Sequence, residues 1–126
     1  MTSNYRFIDY IYTNFEITNI EDIWPDKYDD TTWNYLVYIR NKLTGEILKT
    51  KWGGYNPITA DTYLLEILNN IASSISLYYE IDGLGYDYDK QIRIMRIIRR
   101  QKRALMRLID GYDIDDFINN IIDLKL

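Results

Sequence analysis

Apolar positions change their period several times along the chain, and each change marks an element. Phe7, Ile8, Ile11 and Phe15 recur at helical spacing with polar residues between them, which predicts a short helix over residues 5–14. Its tyrosines and β-branched residues are also compatible with a strand. Phe15 and Ile17 can open a first strand, and Pro25 with the acidic stretch Asp26–Asp30 makes a loop. Residues 33–40, WNYLVYIR, alternate Tyr35, Val37 and Ile39 against Asn34, Leu36, Tyr38 and Arg40. Residues 46–52, EILKTKW, alternate Ile47, Lys49 and Lys51 against Leu48, Thr50 and Trp52. Period-two runs of β-branched and aromatic residues are strands. The intervening Asn41-Lys42-Leu43-Thr44-Gly45 supplies turn chemistry, with Gly45 free to take positive φ. A β-hairpin follows from these three pieces.

Gly53-Gly54 ends the second strand and Asn56-Pro57 turns the chain away. Thr59 is a good N-cap with Asp61 in the first turn behind it. Leu64, Ile67, Leu68, Ile71, Ile75 and Tyr78 then keep i, i+3, i+4 spacing, giving a long helix that ends before Asp82-Gly83. A second long helix starts near Asp87 and runs to Asp110-Gly111, with Gly111 suited to the position just past its end. A last short helix begins at Asp113 and is expected to bury Phe117, Ile118, Ile121 and Ile122. The predicted fold class is α+β: a small antiparallel sheet built on a β-hairpin, with two long helices and one or two short helices packed on it. The 126 residues are enough for one hydrophobic core and are read as a single domain, residues 1–126.

In the second long helix, Ile94, Ile97, Ile98, Ala104, Leu105, Leu108 and Ile109 fall on one broad face, and Arg93, Arg96, Arg100, Arg103 and Arg107 recur on the other. Aligned guanidiniums can follow a phosphate backbone, meet an acidic protein patch or pair with the chain's own acidic loops. An amphipathic helix with a solvated basic face is the plainer alternative. Solvated helices usually mix signs for i, i+4 pairing, whereas residues 90–109 carry eight bases and no acid.

Charge is segregated along the whole chain, not only there. The net formal charge is −4. Residues 1–30 hold seven acids against two bases, residues 31–56 four bases against one acid, and residues 57–89 six acids and no base. Such blocks steer charged partners more than they determine a fold. The acidic segments, including Asp29 and Asp30, are candidates to occupy a basic groove on a partner, although the central bases argue against a purely acidic nucleic-acid mimic.

Several chemistries are excluded by composition. There is no cysteine and no histidine, so disulfides, thiolate zinc sites and imidazole-assisted nucleophiles are ruled out. The loop Asp82-Gly83-Leu84-Gly85-Tyr86-Asp87-Tyr88-Asp89 lacks EF-hand spacing, and it is acidic and without the lysine of a phosphate loop. Its expected role is structural, with Gly85 relieving a turn and Asp87 or Asp89 capping the next helix. Neighbouring carboxylates such as Asp29 with Asp30, or Asp115 with Asp116, point apart on helices and strands, so no convergent acid–base pair is foreseen. No catalytic residue, metal site or cofactor is expected. No apolar run is long enough to cross a membrane, and no basic-then-apolar leader opens the chain, so a cytoplasmic protein without membrane contact is expected. Thirteen tyrosines suit a contact surface, though an AT-rich genome alone also enriches tyrosine, isoleucine, asparagine and lysine.

From the hairpin onward the chain resembles a group of small phage and prophage proteins. The resemblance is carried by Tyr35-Leu36-Val37, Trp52-Gly53, Pro57-Ile58-Thr59, Leu64-Leu65-Glu66-Ile67-Leu68, Tyr78-Tyr79-Glu80-Ile81 and Gly85-Tyr86-Asp87-Tyr88-Asp89 in that order, over residues 33–109. The arginine row and the segment after Gly111 depart from the pattern. The resemblance implies a mobile-element setting in a bacterial host cell, where small proteins without catalytic groups are often inhibitors of host defence, anti-CRISPR proteins among them. The partner it implies is a host defence complex, with a CRISPR effector among the candidates. The alternative expectation is a phage accessory or regulatory protein that contacts RNA or DNA through the basic helix. A third is an oligomerising module.

Overall fold

A computed structural model of the chain describes residues 2–22, 34–53, 60–76 and 87–124. The element order is α1 (Thr2–Asn14), β1 (Phe15–Asp22), β2 (Asn34–Asn41), β3 (Ile47–Gly53), α2 (Ala60–Ser76), α3 (Tyr88–Ile109) and α4 (Ile114–Asp123). The α+β class is therefore present: a three-stranded antiparallel sheet in the order β1-β2-β3, with four helices among the described residues. The chain divides into two compact units, Met1–Ile67 and Leu68–Leu126.

In the first unit the hairpin pairs Arg40 with Ile47 beside the turn and Asn34 with Gly53 at its open end. Asn41 builds the turn. Its Oδ1 accepts from the backbone N–H of Leu43 (2.9 Å) and of Thr44 (3.1 Å), and its carbonyl accepts from the N–H of Gly45 (2.8 Å). Gly45 sits at φ +80°, a conformation side chains disfavour. Alternation then separates two faces: Tyr35, Val37, Ile39, Leu48 and Trp52 are buried, while Arg40, Lys49 and Lys51 are exposed. Phe7, Ile11 and Phe15 are buried too, so α1 contributes one apolar stripe, and Ile8 is only half-buried. The helical alternative for residues 5–14 is the one adopted. Lys42 ties the turn to the end of α1, its backbone N–H donating to the carbonyl of Asn14 (2.7 Å) and its Nζ to that of Tyr12 (3.0 Å). A cation there complements the negative end of the helix.

Strand β1 adds to β2 with a bulge between Ile17 and Asn19. The bulge keeps Ile17 and Ile20 opposite Ile39 and Val37, so the extra residue restores the inward phase that alternation alone would lose. The first turns of α2 lie beside the sheet, with the ring of Tyr63 6.2 Å from that of Trp52.

In the second unit Leu68, Ile71, Ala72 and Ile75 of α2, Ile98, Leu105, Leu108 and Ile109 of α3, and Phe117, Ile118 and Ile121 of α4 are buried. Leu64, Ile67, Leu68 and Ile71, the expected buried stripe of α2, are all core. Four expectations need correction. Ile97 is 56% exposed, and Ile94, Ala104 and Ile122 are half-buried. Ile97 and Ala104 each precede a buried residue by one position, which is about 100° around the helix, and that places them on the rim of the buried sector. Thr59, the Asp82–Tyr86 loop and Asp61's side chain lie outside the described residues.

The caps of α3 and α4 fall where the sequence places them. Asp87 accepts from the N–H of Lys90 (2.8 Å) and Asp113 from that of Asp116 (3.0 Å), and Gly111 has φ +85° just past α3. Asp113→Ala is expected to lower stability by about 1 kcal/mol, the usual worth of an N-cap, measured by urea denaturation. A change within error would mean that the first turn of α4 is held by Phe117 and Ile118 alone.

Candidate interaction surface

The surface is built on α3. Asp89 in its first turn and Arg107 in its last complement the helix dipole, and Ile98, Leu105, Leu108 and Ile109 anchor one face in the core. With that face fixed, the helical period carries Arg93, Arg96, Arg100, Arg103 and Arg107 to the opposite side, and all five are exposed. The step from Arg93 to Arg107 corresponds to about 21 Å along the helix. Among the described residues, the side chains of Arg93, Arg96, Arg100 and Arg103 have no hydrogen-bond or ion-pair partner. Consecutive members of the row are three or four apart, and like charges at that spacing destabilise a helix by about 0.2–0.5 kcal/mol per pair. A row of like charges thus works against the helix that bears it, and an acidic partner would relieve the repulsion.

Asp29 and Asp30, the other expected contact residues, lie outside the described residues. Arg99 and Lys102 belong to the same basic segment but leave the row. With Asp115 they line the polar side of a cavity of about 580 Å³ in the second unit, whose apolar side includes Ile75, Ile98 and Ile118. Spacing on one helix cannot reveal that cavity, because it needs three helices at once.

The outward face of the sheet is a second polar surface. Glu16 on β1 forms an ion pair with Arg40 opposite it on β2. Tyr38 donates its hydroxyl hydrogen to Glu21 (2.9 Å), and Lys49 Nζ lies 5.3 Å from the centre of its ring. The hydrogen bond to Glu21 raises the Tyr38 pKa above the ordinary value, because it favours the neutral phenol, with desolvation and the nearby carboxylate adding to the effect. This tyrosine's contribution to stability is therefore present below the unfolded-state pKa and lost as pH rises through the folded one. In ultraviolet titration, the wild-type minus Tyr38→Phe difference is expected to show a phenol ionising at higher pH than free tyrosine. Glu21→Gln should shift that ionisation back down; no movement would place the cause elsewhere.

Among the described residues, no group of three or more carboxylates gathers as a metal site, and no helix is long and apolar enough to cross a membrane. No protein family, curated protein or solved structure matches the chain. The residues themselves therefore carry the functional reading.

Proposed function

We propose that the chain is a phage or mobile-element binding protein that inhibits a host nuclease complex stoichiometrically, blocking its nucleic-acid path or its assembly. One observation supports this reading above the others: a row of exposed arginines about 21 Å long with no acid among residues 90–109. Such a row fits a docking surface better than a solvated one, since a solvated face gains from mixed signs. The tyrosine-rich composition agrees with it. Nothing in the role requires turnover, so purified protein is expected to hydrolyse neither nucleic acid nor nucleotide.

The test is expression in bacteria that each carry one nuclease-based defence system, read as plating efficiency of a phage that system restricts. Restored plating with one system, lost again in the R96Q/R100Q/R103Q variant, is the expected result. Unchanged restriction across the systems, with no nuclease complex retained by the immobilised protein, overturns the reading. The same row also suits a phage accessory protein that grips DNA or RNA directly. That reading requires tight binding to bare nucleic acid with a steep salt dependence, flattened by about one unit for each arginine removed.

A further inference from the structure

We infer that the arginine face of α3 docks an acidic α-helix of a partner protein, with Ile97 as the apolar anchor. This deepens the reading above and rests on the binding role assigned there to the face. The row repeats with period seven: Arg93, Arg100 and Arg107 form one series, and Arg96 and Arg103 a second three residues later. That is the spacing at which one helix meets another along a seam, with alternate steps of three and four residues. Each repeat is about 10.5 Å long, which a second helix bearing carboxylates at the same intervals matches in register. A phosphate backbone imposes no such repeat.

Ile97 points to the same class of partner. It is 56% exposed, and its surface neighbours on the helix are Arg93, four residues before, and Arg100, three after. Ala104, one repeat later, is half-buried, so a narrow apolar rail runs beside the charges. A branched aliphatic side chain gains nothing against phosphates and gains burial against a protein. The cations of the row are all arginine, the basic residue that protein interfaces enrich while they deplete lysine. A second copy of the chain is a poorer occupant. Exposed Asp116 and Asp123 of α4 are also seven apart, but they offer two carboxylates to a row of five arginines.

The test uses the full chain and two synthetic peptides of about three heptads. One carries glutamates at the two seam positions with leucines beside them, and the other has the same composition scrambled. A DNA duplex is the third probe. The seam peptide is expected to bind at least tenfold tighter than the scrambled one. R96Q/R100Q/R103Q and Ile97→Gln should each weaken it tenfold or more, and Ile97→Leu should retain binding. Circular dichroism checks the fold of each variant. Equal binding of the two peptides, indifference to Ile97→Gln, preference for the duplex, or self-association that excludes the peptide overturns the inference. Its failure is separable from failure of the inhibitor reading. Arginine-dependent rescue of phage plating with no seam-peptide preference refutes the partner class alone, and peptide recognition without rescue refutes the inhibitor role alone.

Discussion

Glutamine at Arg96, Arg100 and Arg103 together is expected to leave the chain folded and to remove its binding to the partner. All three are exposed, and surface substitutions usually shift stability by no more than about 0.5 kcal/mol. Here the shift should be toward greater stability at low salt, since the row's like-charge neighbours at three and four residues repel one another. Binding moves the opposite way. Removing one charged partner from a desolvated interface costs about 2 kcal/mol or more, so three removals compound to several decades in affinity. Titration of wild type and variant against the isolated partner across a salt series measures both size and origin. A protein partner gives a gentler salt slope than a phosphate backbone. A folded triple variant with wild-type affinity would reduce the row to a solvated helix face.

Leu68→Ala is expected to cost about 2–5 kcal/mol, the range for a buried leucine that leaves a cavity. Leu68 is fully buried and sits in the middle of α2, where neighbouring turns cannot collapse into the space as a helix end can. Against a typical net stability of about 5–15 kcal/mol, that is a large share. Urea melts of the two proteins with a shared slope measure it. A loss below about 0.5 kcal/mol would mean that this stripe of α2 is not core.

The hairpin and α3 are legible in the sequence because the signal in each is local. In the hairpin, period-two alternation and the Asn41 turn state both strands and the link between them. In α3, the spacing of the arginines on one side and of Ile98, Leu105 and Ile109 on the other states the faces. Periodicity gives the direction of a buried face but not its width, and that is why the pattern groups Ile97 with the core although it lies on the rim. The pairing of Glu16 with Arg40 and of Glu21 with Tyr38 depends on register between strands separated by a long connection, and on a bulge that no single residue announces. The grouping of Arg99, Lys102 and Asp115 depends on packing of separate helices. Asp29 and Asp30 are legible as charge alone, and nothing in their local pattern fixes a position.

Among the described residues, the sheet's two outer strands end the ladder differently: β1 is broken by the bulge after Ile17, and β3 presents exposed Lys49 and Lys51. A kinked strand offers a poor template for a newcomer, and a row of ammonium groups repels its own copy. Each device discourages another chain from adding a strand. Crowded molecules are thereby kept from zipping sheet to sheet, which leaves association to side-chain surfaces whose charge can choose the partner.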